Sequence, residues 1–208
     1  MIEFNKVSYT YFSKFYTLFE FSYKFNDGNY ALISDNVSGG LTLIRLLAKL
    51  DTFYKGEILI NGKSLRKTNY KKDFSVAYIS ATPKFFNNKS ILYNVCYPLK
   101  ARSIKKQERI TIALNTLSKF GWQNKANQKV ASLTYDELIT LSLIRASVRK
   151  LDLLLCENIF ATHSPSILSQ ISATTKIIVT PIDLKLDNYT YLYFNLGSLD
   201  KSYTDKSD

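Results

Sequence analysis

Ser34-Asp35-Asn36-Val37-Ser38-Gly39-Gly40-Leu41-Thr42-Leu43 is the stretch on which the reading of this chain turns. An apolar run, Tyr30-Ala31-Leu32-Ile33, precedes it and predicts a buried strand. An amphipathic segment, Leu43-Ile44-Arg45-Leu46-Leu47-Ala48-Lys49-Leu50, follows it and predicts a helix. Strand, small polar loop and helix are the setting of a phosphate-binding loop, G-x-x-x-x-G-K-[ST]. Laid on that pattern, Ser34 stands at the first glycine and Gly39 at the second. Gly40 stands at the lysine and Leu41 at the metal-binding hydroxyl. Only Ser38, Gly39 and Thr42 still suit a phosphate. The frame of a nucleotide site is present, with most of its chemistry replaced.

Bulk properties bound the rest. A chain of 208 residues makes one domain, or one domain with a subdomain, and can bury a sizeable core. Its 46% hydrophobic content excludes a disordered class. No apolar run reaches the roughly 18 residues of a membrane span. Met1-Ile2-Glu3-Phe4-Asn5-Lys6 lacks the apolar core of a signal peptide. Cys96 and Cys156 lie far apart in apolar company, which predicts buried free thiols. A single histidine and no Cys/His cluster argue against a structural metal. The net charge of +11 suits an acidic partner, an anionic lipid surface or nucleic acid, but a solvated lysine-rich surface is the favoured reading. No base-reading motif accompanies the lysines, so a nucleic-acid module rests on charge alone.

The remaining elements follow in order. Residues 2–4 and 7–11 alternate as a strand. Phe19-Glu20-Phe21-Ser22-Tyr23-Lys24-Phe25 alternates strictly, with the four aromatics on one face. The turn Asn26-Asp27-Gly28-Asn29 predicts a hairpin into the loop-bearing strand. Asn61-Gly62 predicts a second hairpin between Gly56-Glu57-Ile58-Leu59-Ile60 and Lys63-Ser64-Leu65. Residues 74–80 predict a strand. Helices are predicted at 90–97, at 103–120 (Ile104, Ile110, Ala113, Leu114 and Leu117 facing inward) and at 134–150, where Thr134 and Glu137 form a capping box. Strands are predicted at 153–156, 176–180 and 191–194, the last followed by the turn Asn195-Leu196-Gly197-Ser198. These elements predict an α/β, P-loop-like fold: N-terminal antiparallel hairpins, a parallel αβ core and an inserted helical subdomain at about 83–150. The domain spans 1–200, with a polar tail at 201–208.

With those elements placed, the chain resembles the nucleotide-binding domain of ABC transporters over nearly its whole length. Val7-Ser8-Tyr9-Thr10-Tyr11 is similar to the opening strand, which makes Tyr11 the counterpart of the aromatic that stacks on adenine. Lys55-Gly56-Glu57-Ile58-Leu59-Ile60-Asn61-Gly62-Lys63 resembles the family's SGE…NGK hairpin. Val76-Ala77-Tyr78-Ile79-Ser80-Ala81-Thr82-Pro83 sits where the family has its glutamine loop. Ile91-Leu92-Tyr93-Asn94-Val95-Cys96-Tyr97-Pro98-Leu99 resembles the helix that faces the membrane subunit. Ser132-Leu133-Thr134-Tyr135-Asp136-Glu137 stands at the LSGGQ signature, followed by Ile144-Arg145-Ala146. Leu153-Leu154-Leu155-Cys156-Glu157 stands at the Walker B strand, and Ile177-Ile178-Val179-Thr180-Pro181-Ile182-Asp183 at the switch. The opening and membrane-facing motifs are nearest to the small ATPases of lipoprotein-releasing, macrolide and peptide exporters.

The resemblance implies a vestigial ATP site at Tyr11, Asn36, Ser38, Gly39, Gly40 and Thr42, a signature segment at Thr134, Tyr135, Asp136 and Glu137, and a vestigial catalytic base at Glu157, which a polar residue at a strand end would explain equally well. It also implies a partner-facing surface at Phe85, Phe86, Tyr93 and Tyr97, in a cluster with Pro83, Leu92 and Val95 that ordinary subdomain core would explain equally well. The departures fall on the chemistry. Gly40 removes the phosphate-binding charge, Leu41 the magnesium ligand and Cys156 the metal-supporting aspartate. Ala81 replaces the γ-phosphate-sensing glutamine and Pro181 the switch histidine. Tyr135 and Asp136 replace signature glycines, and the segment 158–175 is shorter than the family's. These changes predict a degenerate, non-hydrolysing ATP-binding subunit with no assigned metal and, at most, weak ATP and Mg²⁺ binding. Its expected place is cytoplasmic, at the inner face of the membrane, docked on a permease or an intact ABC ATPase. An ATPase of altered chemistry and a basic nucleic-acid module are the alternatives.

Overall fold

The computed structural model describes residues 1–11, 16–34, 39–159, 165–181, 184, 186–195 and 198–199. The described residues within Met1–Tyr78, Asp152–Asn158 and Ala173–Asp208 form one compact unit, and those within Ile79–Leu151 and Ile159–Ser172 form another; the tail expected at 201–208 lies outside the described residues.

The first unit carries an antiparallel sheet of β1 (Ile2–Tyr9), β2 (Leu18–Phe25), β4 (Lys55–Ile60) and β5 (Lys63–Ser64), in the order β2-β1-β4-β5. The Asn61-Gly62 hairpin forms as predicted, with Ile60 opposite Lys63. A larger sheet has the order β10-β9-β3-β8-β7-β6. Its members are β3 (Gly28–Ile33), β6 (Val76–Ile79), β7 (Leu151–Cys156), β8 (Ala173–Thr180), β9 (Thr190–Asn195) and β10 (Ser198–Leu199). At its centre β3 runs parallel to both β8 and β9, with Ile33 opposite Thr180 on one side and Tyr193 on the other. The expected hairpin through Asn26–Asn29 is therefore corrected: β2 and β3 belong to different sheets. The turn passes the chain from one to the other, and β3's continuous apolar run suits a strand flanked on both sides.

Aromatic packing joins the two sheets of this unit. Phe4 meets Phe21 and Phe25 at 5.4 and 6.0 Å, Phe25 meets Tyr30 at 5.0 Å, and Phe21 meets Phe194 at 5.4 Å. Beneath them, Leu43, Ile44, Leu46 and Leu47 of α1 (Gly40–Leu47) are buried in the same core. Strict alternation in β2 fails at one place. Phe19 is 62% exposed while Leu18 is buried. Glu20 has a φ of 46°, and its N–H donates to the Ser8 hydroxyl. The irregular register between β1 and β2 turns Phe19 outward.

The second unit packs α2 (Ile91–Lys100), α3 (Lys106–Lys119) and α4 (Tyr135–Ser147) around Ile91, Val95, Leu99, Leu117, Leu141 and Ile144. Ser90 caps α2 by accepting the Tyr93 N–H. The Thr134–Glu137 capping box of α4 is complete in both directions. Helix α3 starts later than predicted because Ser103 has a φ of 61°, which breaks the helical path. Ile104 consequently precedes the helix, and Leu114, expected inside, is 39% exposed. Cys96 and Cys156 are both buried and free. Among the described residues, no helix is long and apolar enough to cross a membrane.

Candidate nucleotide loop and aromatic surface

Strand β3 delivers Ser34, whose N–H donates to the Thr180 carbonyl at 2.9 Å, just beyond the strand's end. Gly39 has a φ of 101°, which only glycine tolerates readily, and α1 begins at Gly40. Asn36 and Ser38 lie outside the described residues. The Gly40 N–H donates to the Ser34 hydroxyl at 3.1 Å. A Cβ on Gly40 would sit 2.6 Å from both Cβ and Oγ of Ser34, and 3.5 Å from Cγ1 of Val179. Ser34 thus fills the place from which a side chain at position 40 would have to leave the backbone. Leu41 packs half-buried on the core rather than presenting a polar group.

Thr42, 3% exposed, donates its hydroxyl to that of Tyr11 at 3.3 Å. Tyr11 in turn donates to Oδ2 of Asp51 at 3.5 Å and packs edge-on against Tyr9 at 4.9 Å. Arg45 grips Asp51 with Nε at 2.8 Å and a second guanidinium nitrogen at 3.3 Å. That hydrogen bond, more than the opposite charge, holds the Arg45 pKa above its usual range. The candidate adenine platform and the remaining loop hydroxyl are therefore linked to an acid, Asp51, that motif matching had passed over. An Arg followed six residues later by an Asp at a helix end was the only available signal.

At the end of β7, Cys156 is fully buried, and burial pushes its thiol pKa up, with Glu157 adding to the effect. Its Sγ contacts the Glu157 carbonyl oxygen at 3.2 Å. Oε1 of Glu157 accepts a short hydrogen bond from the Tyr78 hydroxyl. Burial, then this bond, raises the Tyr78 pKa. Pro181 is exposed at the end of β8, and Asp183 lies outside the described residues.

In the second unit, the signature-like residues serve the start of α4. The Thr134 N–H donates to Oε2 of Glu137 at 2.9 Å and the Glu137 N–H donates back to Thr134 Oγ1. Lys125 pairs with Glu137, whose carboxyl it holds below the usual range, with the Thr134 N–H helping. Asp136 adds a second acid to this first turn, which favours the helix dipole. Tyr135 is half exposed and donates to the Ala81 carbonyl at 2.8 Å.

The aromatic group divides. Val95 is core and Phe85 is half-buried beneath Arg145, whose guanidinium lies 4.2 Å from the ring centre. Burial pulls the Arg145 pKa down to about 10. Phe86, Tyr93 and Tyr97 form an exposed cluster, with Phe86 5.6 Å from Tyr93 and 4.8 Å from Tyr97. Asn94, fully buried beneath it, accepts the Phe86 N–H at 2.9 Å and donates to the carbonyls of Phe86 and Ser90. This amide clamps the segment before α2 onto the helix. Its lone polar character among Val95, Cys96 and Leu92 was the sequence signal for it.

Residues 18–161 match the profile of the ABC transporter family. The chain is 27% identical over 161 residues to the methionine import ATP-binding protein MetN 1 of Oceanobacillus iheyensis, an alignment covering 76% of this chain and 48% of that protein. It is 26% identical over 190 residues to the lipoprotein-releasing system ATP-binding protein LolD of Buchnera aphidicola, covering 75% and 83%. The chain thus spans about half the length of the methionine-import relative. Among solved structures, the dimeric bacterial ABC transporter cassette MJ0796 superposes with a TM-score of 0.83 at 18% identity, over 97% of each chain. At that identity the likeness speaks for the fold. With the family profile covering well over half its length, the chain belongs to the ABC transporter ATP-binding family.

Proposed function

We propose that this chain is a non-hydrolysing ABC subunit that works by docking on a membrane permease or on an intact ABC ATPase at the inner membrane face. One observation carries the reading: a side chain at position 40 would collide with Ser34 at 2.6 Å. Ser34 therefore leaves no room for a lysine side chain at position 40, which supports the loss of the phosphate-binding charge. The other positions agree. Leu41 offers no metal ligand, and Cys156 is a buried thiol kept protonated. These residues do not fit Mg²⁺-ATP. Thr42 and Glu157 favour the rival reading of an altered ATPase, as do relatives named as ATP-binding proteins. In this chain both side chains are engaged, Thr42 with Tyr11 and Glu157 with Tyr78.

The exposed Phe86, Tyr93 and Tyr97 cluster supplies the surface for such a partner, since grouped aromatics bury large area at little entropic cost. The charge of +11 suits an anionic leaflet beside it. The test is affinity capture of the tagged chain from detergent extracts of its own cells. A permease or ABC ATPase is expected to co-purify with the wild type and to be lost with the triple variant Phe86→Ser/Tyr93→Ser/Tyr97→Ser. Capture of neither by the wild type would overturn the docking role. ATP turnover by the purified chain would overturn the non-hydrolysing one.

A further inference from the structure

Two segments of the first unit are stitched into one surface. One, residues 48–56, follows α1; the other, residues 65–73, follows β5. The Lys49 ammonium donates to the Thr68 carbonyl at 2.6 Å, and the Tyr70 hydroxyl donates to the Leu47 carbonyl. At the other end the Arg66 guanidinium stacks 3.9 Å from the centre of the Tyr54 ring and donates to the carbonyls of Tyr54 and Gly56. These bonds hold the two segments side by side.

Phe53 stands out from this surface, 92% exposed, with Leu50 at 52%. A half-exposed leucine is ordinary. A phenylalanine left almost wholly in water gains nothing from its own chain, so its ring is available to a partner. The charge around it is one-sided. Every acid of residues 49–73 is already held: Asp51 by Arg45 at 2.8 Å, Glu57 by Arg66 at 3.4 Å and Asp73 by Lys63 at 2.6 Å. Lys55, Lys67 and Lys71 are exposed, and no carboxylate among the described residues pairs with them. A protruding ring flanked by uncompensated lysines complements an anionic layer with an apolar floor. Such a layer takes a lone ring without a shaped pocket. The spare cations are lysines, flexible point charges that suit mobile headgroups, whereas the fork-shaped Arg66 is spent within the chain.

We propose that Phe53, with Leu50, enters the interface of an anionic lipid bilayer while Lys55, Lys67 and Lys71 meet its headgroups. The inference rests on the proposed place at the membrane but not on the permease. Protein-free vesicles test it, so its failure and the failure of permease capture are read separately.

The measurement is co-sedimentation of the full chain with vesicles of phosphatidylcholine and phosphatidylserine in equal parts, against vesicles of phosphatidylcholine alone. Binding is expected on the first and near absence of it on the second. A lysine near an anionic surface is worth about fivefold in binding, so Lys55→Gln/Lys67→Gln/Lys71→Gln should lose about a hundredfold. Phe53→Ser should lose about tenfold, the share of a partly inserted ring. The control Lys105→Gln/Lys106→Gln/Lys119→Gln removes the same charge from exposed positions around α3 and should lose far less. No binding to the mixed vesicles, or equal binding to phosphatidylcholine alone, would overturn the proposal. So would an equal loss in the control, which would assign the effect to net charge, or unchanged binding by Phe53→Ser. Capture of the chain by poly-glutamate but not by vesicles would give the surface to an acidic protein and overturn the lipid assignment.

Discussion

Replacing Gly40 by alanine should destabilise this protein, although a helix normally welcomes that change. Gly→Ala inside a helix ordinarily gains about 0.5–1 kcal/mol. Here the new Cβ would stand 2.6 Å from Cβ of Ser34, about 1 Å inside ordinary carbon–carbon contact. Ser34 cannot rotate its own Cβ away, so backbone must move. Overpacking of this kind costs about 1–3 kcal/mol. Shifting Ser34 also endangers the 3.1 Å bond from the Gly40 N–H, worth about 1 kcal/mol net. The balance is a loss of about 2 kcal/mol, or ~4–8 °C in Tm for a chain of this size. Ser34→Gly removes the obstruction and loses the hydrogen bond, costing about 1 kcal/mol alone. In the double variant Ser34→Gly/Gly40→Ala the clash is absent, so the two changes should couple favourably by about 2 kcal/mol. Urea denaturation followed by circular dichroism on the four proteins measures the cycle. A neutral or stabilising Gly40→Ala, or additive effects in the double variant, would refute the claim that Ser34 occupies the lysine's exit.

Gly56 should be still less replaceable. Its φ is 81°, and a Cβ there would lie 2.3 Å from the Lys6 carbonyl oxygen, so Gly56→Ala should cost at least about 3 kcal/mol by thermal denaturation. Thr134→Ala breaks the capping box of α4 and should cost about 1 kcal/mol in the same assay. Lys125 and the Thr134 N–H hold the folded Glu137 pKa below its ordinary value of 4.5. This contribution is therefore full above that value and lost as pH falls through the folded one. Glu137→Gln should flatten the acid limb of the stability profile below about pH 5; an unchanged limb would show that the pair contributes nothing. Asn94→Ala should cost about 2 kcal/mol and release the segment around Phe86, seen as faster amide exchange at Phe86, whose N–H it receives.

What the sequence disclosed, and what it hid, divides by range. The loop-bearing strand and helix were legible because Tyr30–Ile33 is apolar without a break and the segment 43–50 repeats at helical spacing. The start of α4 was legible because a capping box spans only four residues. The partner of β3 was not. Asn26-Asp27-Gly28 specifies a turn but not the sheet the next strand joins, and the unbroken apolar run should have outweighed the turn. Phe19 escaped because the kink at Glu20 depends on the register with β1. Within the candidate site, the substitutions themselves could be read at once. That Ser34 and Gly40 fit each other could not, nor that Tyr11 and Arg45 converge on Asp51, because each contact joins residues whose spacing carries no local pattern.

The most direct test of the central claim is ATP binding by the purified chain, with and without Mg²⁺, by calorimetry up to millimolar nucleotide. No saturable heat is expected in either condition, since position 40 has no cation and its side-chain space belongs to Ser34. Saturable, magnesium-dependent binding would contradict it and return Thr42 and Glu157 to a working nucleotide site.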